Sequence, residues 1–513
     1  MILTVDLGTS VTKAVVWDDD GPLAIGRSAL DSTYGPDNRA EQDPASWWAS
    51  VVAACAAARS ALGARAAAAF GSVTALGFAA ARQTFVPVAA DATPVGPALL
   101  WSDRRAGAEA VSLARSFGEE GATTLRRRTG VVLDAGSVAA KVTWLARHEP
   151  QRLHDARWLL SPRDLLAWRL TGEVATDHTL ASATGLFELA GGALVPGLVD
   201  DVADRLPVPR PSDAILGGLL AGPAGELGLR GGIPVVIGAG DRACEVLGTG
   251  ATEAWPMVSW GTTANVSVPV LDIGDTVRAT DATDATGATN ATGATATGPA
   301  AMIVTRGALE GWLLEGGLSA AGSLLDWLGR LAGLDGRSLM DRARSSPPGS
   351  RGVIVLPWWG GARAPWWRDT ARGAVVGLSF DHDIGDMARA VVESVAWDVT
   401  RCLESATLWR GEEATPPAGL VLAGGGAHVA TWTEILSAVT GLPARRRRSG
   451  EAASAGAAML VARATGAQVD FDRIDPVEAE TAPDAEMVSW YRTQRPAVDA
   501  AAAAVIDLNR SEQ

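Results

Sequence analysis

Apolar and polar positions along the opening residues fall into blocks that predict strands and tight turns. Residues 2–6 and 11–17 are rich in Val, Ile, Leu and Thr, a Gly-Thr-Ser turn joins them, and "DDDG" makes the next turn. The pattern predicts a β-meander. Ala-rich helices follow at 45–62 and 104–117, with strands expected near 73–79 and 84–89, so this half reads as mixed α/β. Further on, "GGIPVVIGAGD" is an apolar strand ending at Asp241, and "PMVSWGTTANVSVPV" then repeats the opening design of strand, polar turn, strand. Gly261, Thr262 and Thr263 stand where Gly8, Thr9 and Ser10 stand, 253 residues on and about half the chain away, which predicts two related halves that each start from a hairpin. The rest reads as helix 308–331, helix 337–344, strand 353–356, a Trp-rich loop, helix 384–406, strand 419–422, a glycine-rich turn, helices near 430–440 and 452–465, and a helical tail after about 480. The Ala/Thr/Gly/Asp tract 275–300 has no apolar face to bury and predicts a mobile loop, and its sequon at Asn290 would go unused inside a cell.

Bulk properties narrow the function. With 513 residues, 47% of them hydrophobic, the chain exceeds the size at which a single core stops growing, so two or more domains are expected. A net charge of -14 argues against a general binder of nucleic acid or other polyanions. Cys55, Cys244 and Cys402 are far apart and odd in number, which speaks against a disulfide framework and for a reducing compartment. No basic leader followed by an apolar core and no long apolar run is present, so the expected location is the cytoplasm, with no membrane partner. Of the 44 basic residues only Lys13 and Lys141 are lysine, which singles out Lys13 beside the opening hairpin. The histidines are scattered, without zinc-ligand spacing.

The opening motif carries candidate chemistry. A tip of Gly8, Thr9 and Ser10 places backbone N–H groups and hydroxyls around a concavity that suits a phosphate. Bare phosphate would be repelled by Asp6 at the end of the first strand, which points to a water-ligated Mg²⁺ between them, and Lys13 is placed to neutralise a phosphoryl oxygen. In "LAGGGAHVATWTEIL" a strand runs into Gly424, Gly425 and Gly426 and then a helix, a geometry that packs backbone against a nucleotide, with His428 expected near the base. Neither a P-loop nor a dinucleotide G-x-G-x-x-G is present, so nucleotide binding would use another route, with the two tips facing each other across an interdomain cleft. Asp241 ends its strand behind two glycines, where a carboxylate has room to act as general base; the alternative is a helix N-cap. Arg82 and Gln83 in "AARQTF", with Trp101 and Asp103 in "WSDRR", offer donors, acceptors and an apolar wall to a polyol. Trp358, Trp359, Trp366 and Trp367 read as a sugar-stacking face, a loop core or a subunit interface, and Arg445 to Arg448 as a solvated turn, with a phosphate contact as the alternative.

Taken in order, "DLGTSVTK", "AEQDPASWW", "LLWSDRR", "GAGD", "SWGTT", "LPWWGGARAPWWRDTARGAVVGL" and "LAGGGAHVATWTEILSAVTGLP" resemble the FGGY carbohydrate kinases over essentially residues 1–470. The resemblance implies an α/β fold of two actin-like (ribonuclease H-like) ATPase domains flanking a catalytic cleft, the first holding sugar and the second ATP, with dimers common. The domains would run 1–246, 247–480 and, as a helical tail on the second, 481–513. Asp241 would be the catalytic base, would contact substrate, and with Asp6 would hold Mg²⁺; Gly317 of "EGGLSAAG" joins the ATP-binding set of Gly8, Thr9, Ser10, Lys13, Gly261, Thr262, Thr263, Gly424, Gly425, Gly426 and His428. Where xylulokinases carry Met-His-Gly and glycerol kinases Arg-Glu-Thr, this chain has Arg82-Gln83-Thr84, and the aromatic side chain of glycerol kinases near Gly136 is missing. The expected activity is ATP-dependent phosphorylation of a ketose or polyol of about five carbons, a pentulose such as xylulose first. A glycerol- or gluconate-type kinase, an ATPase whose acceptor is water, and a sugar-sensing protein without turnover are the alternatives.

Overall fold

The computed structural model describes residues 1–513 except 190, 274–301, 369, 412–413, 469 and 511–513. The tract 275–300, expected as a loop, lies outside the described residues. The chain divides into two compact units, one of Met1–Gly248, Val304–Trp312 and Glu451–Pro476, the other of Thr249–Ile303, Leu313–Gly450 and Val477–Gln513.

In the first unit the sheet order is Ile215–Gly218, Pro234–Val236, Ala75–Ala80, Ile2–Leu7, Val11–Asp18, Gly21–Ala29. The meander Ile2–Leu7, Val11–Asp18, Gly21–Ala29 is antiparallel, as its turns require, whereas Ile2–Leu7, Ala75–Ala80 and Pro234–Val236 run parallel. Alternate side chains of a strand leave by opposite faces. Leu3, Val5 and Leu7, with Ala14, Val16, Leu76 and Phe78, therefore cluster with Trp47, Val51 and Ala54 of helix Pro44–Ala61. Ile2, Val15, Trp17 and Ala75 cluster instead with Ala455, Ala458 and Val461 of helix Ala452–Thr465. Covered on both sides, the central strands are apolar nearly throughout.

That second helix departs from the linear partition expected at 246/247 and 480/481, since residues 451–476 belong to the first unit. Small residues explain the close fit. A Cβ on Gly77 would lie 2.3 Å from Val461 Cγ2, one on Gly456 2.0 Å from the Cys244 carbonyl oxygen, and one on Gly248 1.9 Å from that of Ala452. Backbone thus meets backbone where helix Asp241–Thr249 and helix Ala452–Thr465 touch.

The second unit repeats the scheme. Met257–Trp260 pairs antiparallel with Ala264–Val270 and parallel with Leu420–Ala423, which runs parallel to Ala444–Arg447, and Val477–Thr481 closes the edge antiparallel. Each hairpin's first strand continues through two parallel strands to an antiparallel edge strand, which agrees with the repeat read in the sequence. Helix Ile384–Trp409 is buried along most of its length and starts from a capping box of Asp383 and Asp386. Helix Ala485–Arg510 docks through Tyr491, whose hydroxyl accepts from Arg389 Nη2 at 3.0 Å and donates to Glu393 Oε1 at 2.6 Å.

Three local readings change. Residues 308–331 are not one helix: strand Trp312–Leu318 comes first, a Gly307 N–H to Gly311 carbonyl bond of 3.1 Å turning the chain into it, and helix Gly322–Ala332 follows. The arginine run is not a turn but the strand Ala444–Arg447, with Arg445 Nε 2.6 Å from Glu480 and Arg446 paired to Glu478. Trp358 is buried with Leu356, Ala362, Ala502 and Ile506, and Trp366 donates to Asp398 at 3.0 Å, so these two tryptophans make the core of their loop. No helix among the described residues is long and apolar enough to cross a membrane.

Candidate active site

Strand register brings three sequence-predicted residues to one edge of the first sheet. Leu7 and Gly240 both lie opposite Ala80, so Asp6, Asp241 and Arg82 leave the carboxyl ends of adjacent parallel strands, the usual place for a ligand in an open α/β sheet. Gly238 makes this possible: at φ +74, with a would-be Cβ only 1.9 Å from the Phe78 carbonyl oxygen, it separates Pro234–Val236 from Ala239–Gly240. Asp241 then starts its helix, with about a third of its side chain exposed. Its Oδ1 lies 3.5 Å from Arg82 Nε and accepts from the Arg242 N–H at 2.6 Å. Gly240 leaves the space that Arg82 crosses, since a Cβ there would fall 2.8 Å from Arg82 Cδ.

Beneath this loop lies a buried network that the sequence reading missed. Arg163, fully enclosed, donates to the carbonyl oxygens of Ile237 at 2.8 Å and Gly238 at 3.2 Å. Burial opposes its charge, but Asp164 at 2.8 Å and Asp177 at 3.0 Å hold its pKa above the usual arginine value. Thr179 completes the link, donating to Asp177 Oδ2 at 2.5 Å and accepting from the Gly240 N–H at 2.8 Å. The signals were local: Ser161 and Asp164 form a capping box in "SPRD", and Asp177 caps the helix that follows it.

Asp6 is 8% exposed and lies opposite Lys13 in the hairpin register. Lys13 Nζ is 3.7 Å from Asp6 Oδ2 and 3.0 Å from Glu451 Oε2, and Glu451 also pairs with Arg27. Burial, against the pull of Lys13 and with help from Asp241, Glu245 and Glu451, pushes the Asp6 carboxyl up to about 7. Burial pulls Lys13 the other way, yet Asp6 and Glu451 keep its pKa above the ordinary lysine value. Its ammonium is thus shared between two carboxylates, with which any phosphate would compete. Glu451, 438 residues away from Lys13 in the chain, carried no signal in the sequence.

At the tip, the Gly8 N–H donates to the Val11 carbonyl at 3.2 Å, and a Cβ on Gly8 would fall 2.8 Å from the same oxygen. Thr9 is held on two sides, its carbonyl accepting from Gln42 Nε2 at 2.6 Å and its hydroxyl from Trp101 Nε1 at 2.9 Å, while Ser10 is exposed. Trp101 in turn donates its N–H to Thr84 Oγ1 at 3.1 Å. Gln83 takes φ +59 and donates its amide to the Ala183 carbonyl at 2.9 Å. Gly136 packs on this wall, a Cβ there falling 2.9 Å from the Trp101 carbonyl oxygen.

Asp103 does not have the free carboxylate expected of a substrate ligand. It is fully buried, and its oxygens accept from the Ala40 N–H at 2.8 Å, the Arg105 N–H at 3.1 Å and the Arg105 guanidinium at 2.6 Å, which leaves it a structural anion.

The second unit assembles its own loops. The Gly261 N–H donates to the Thr263 carbonyl at 2.9 Å, and the Thr262 carbonyl accepts from the N–H groups of Ala321 at 3.1 Å and Ser323 at 3.0 Å. Gly424, at φ +79, lies where a Cβ would be 2.6 Å from the Trp260 carbonyl oxygen; one on Gly426 would be 2.7 Å from the Trp432 ring, which lies 4.4 Å from that of Trp260. Gly425 between them faces open space. His428 is exposed, with Nδ1 3.2 Å from Arg446 Nη1. At Gly317, in strand Trp312–Leu318, an added Cβ would lie 3.5 Å from the Arg363 guanidinium carbon. No group of three or more His, Cys, Asp or Glu suited to a metal ion occurs among the described residues.

Two sheets of one topology, each led by a Gly-Thr hairpin, define the actin-like ATPase fold. Residues 1–248 match the N-terminal domain and residues 286–465 the C-terminal domain of the FGGY family of carbohydrate kinases. The chain belongs to that family and is a phosphotransferase with an alcohol group as acceptor. It is 27% identical to the xylulose kinase of Escherichia coli (strain K12), over 96% of this chain and 97% of that one. It is 28% identical to the glycerol kinase of Cereibacter sphaeroides (strain KD131), over 91% and 90%. Among solved structures, xylulose kinase from Lactobacillus acidophilus superposes with a TM-score of 0.84 over 100% of both chains at 20% identity.

Proposed function

We propose that this carbohydrate kinase transfers the γ-phosphoryl group of ATP to a hydroxyl of a pentulose such as xylulose, with Asp241 as general base. The observation that carries the reading is the partly exposed Asp241 carboxylate, standing at a strand end with Arg82 beside one of its oxygens. Because Oδ1 is already taken by the Arg82 and Arg242 donors, Oδ2 is the oxygen left to receive the acceptor's proton. Arg82, Gln83 and Trp101 form the acceptor wall, and Asp103 supports it from within. Gly136 offers no side chain to shorten that wall, which favours an acceptor longer than glycerol.

On this reading Gly8, Thr9 and Ser10 serve phosphate from the first unit. Gly261 to Thr263, Gly424 to Gly426 and His428 serve the nucleotide from the second. The donor set at Asp6 and Asp241 fits a hydrated Mg²⁺, because Asp6 is an enclosed carboxylate whose charge Lys13 only partly offsets. That ion, when bound, neutralises phosphate charge. Three buried free thiols, at Cys55, Cys244 and Cys402, support placement in the cytoplasm. The test is ADP release from Mg²⁺-ATP across a panel of ketoses, polyols and aldonates. A five-carbon ketose is expected to give the highest kcat/KM; ADP release that is equal with and without every acceptor would instead make the protein an ATPase.

A further inference from the structure

Lys141, the second of the chain's two lysines, has no part in the chemistry above, yet its side chain is fully enclosed. It rises from helix Val138–His148 and donates to the carbonyl oxygens of Gln83 and Leu100, both at 2.8 Å. Gln83 is itself in the acceptor wall, at the left-handed φ of +59, and Leu100 directly precedes Trp101. The surroundings do little for an ammonium. Phe85 lies under it, the ring centroid 5.8 Å away. The nearby carboxylates are already engaged, Asp103 by Arg105 and Asp134 by Arg104. Burial accordingly pulls its pKa down to about 7, with Asp103 and Asp134 opposing and Arg104 and Arg105 adding to the fall.

We infer that Lys141 is a positioning residue for the acceptor, a strut that fixes the Arg82–Gln83 turn and the Trp101 loop at one separation. A buried cation without an ion pair is a costly way to satisfy two carbonyls, and it is retained where both must be held at once. The compact, tetrahedral ammonium suits two converging carbonyl oxygens, whereas the planar fork of arginine, the default cation of this chain, does not. Trp101, next to Leu100, in turn bonds Thr84 Oγ1 through its backbone N–H and the Thr9 hydroxyl through its indole N–H, which ties the two sides of the acceptor wall together.

The inference rests on Arg82, Gln83 and Trp101 facing the acceptor, and the experiment separates the two claims. Lys141→Met and Arg82→Ala are compared with wild type in acceptor KM, ATP KM and kcat. Lys141→Met is expected to raise the acceptor KM about 10-fold or more and to lower kcat, while the ATP KM stays within about twofold. If Arg82→Ala raises the acceptor KM and folded Lys141→Met does not, the strut is refuted and the acceptor wall survives. If Arg82→Ala leaves it unchanged, the wall itself is misassigned and the strut falls with it. Should Lys141→Met fail to fold, Lys141→Gln replaces it, keeping a donor one atom too short to span both carbonyls. A rise of about threefold in its acceptor KM alone supports the strut, and an unchanged value refutes it. Failure of both variants to fold also refutes it, because the lysine would then hold up the whole unit rather than two loops.

Discussion

At the base of the first hairpin Asp6 faces Lys13, and Glu451 closes on the lysine at 3.0 Å; at the base of the second, Ser259 faces Asn265, and Trp260 lies 4.4 Å from Trp432. The turns differ by one residue as well. Four residues separate the paired Leu7 and Thr12, and three separate Trp260 and Ala264. The two units therefore keep the same backbone device for presenting N–H groups and surround it with opposite chemistry. The first hairpin is a charged site held in tension by burial. The second is an uncharged, buried aromatic pair against which glycine backbone is pressed.

Removing charge from the first hairpin is expected to have the largest effect on stability. Lys13→Met leaves Asp6 and Glu451 enclosed without their shared cation; with the lysine partly exposed, the loss is about 2 kcal/mol, discounted from a fully buried pair. Ligand-free denaturant unfolding measures it, and a loss below about 0.5 kcal/mol, the range of an ordinary surface change, would remove charge as the distinguishing feature. The second hairpin should respond to shape instead. Gly424→Ala meets both a φ of +79 and the Trp260 carbonyl, so a loss of about 1–2 kcal/mol and a higher ATP KM are expected. Gly425→Ala, which points a methyl into open space, should leave stability unchanged, and equal effects from both substitutions would contradict this packing.

The third effect is a pH dependence. Asp6 has its folded pKa raised from 3.8 to about 7, so the unfolded chain releases this proton first, and the stability it contributes is present below about pH 4 and lost as pH rises to about 7. Asp6→Asn cannot lose it. In the absence of Mg²⁺, the variant's stability relative to wild type should therefore grow between pH 4 and pH 7 and level off above, as read from melting curves. A flat difference would mean that the carboxylate is not strained by burial.

Much of this contrast was legible in the residues alone. Both hairpins, the glycine-rich turn and the "GAGD" carboxylate stand out because each combines a short, nearly continuous apolar run with a local break of Gly and small polar residues. Strand Trp312–Leu318 reads as helix because a strand buried on both faces shows no alternation and a genuine helix follows it, although the Gly316-Gly317 pair within it is a helix breaker. Asp103 looked like a ligand because a sequence cannot tell a carboxylate facing a substrate from one facing Arg105. Glu451, Arg163, Thr179 and Lys141 were missed as parts of the site for a shared reason. Each acts through a contact with residues far away in the chain: the caps around Arg163 and Thr179 are legible locally, but their reach to Gly238 and Gly240 is not.

The division of labour rests on Asp241 acting as the base within the first unit. Single-turnover transfer from ATP to the acceptor chosen by the panel, measured for wild type and Asp241→Asn, tests this most directly. Transfer should slow by roughly 100-fold to 10,000-fold, the range for losing a positioned base, while the acceptor's Kd changes little. A variant that binds acceptor and still phosphorylates it at a near wild-type rate would contradict the account.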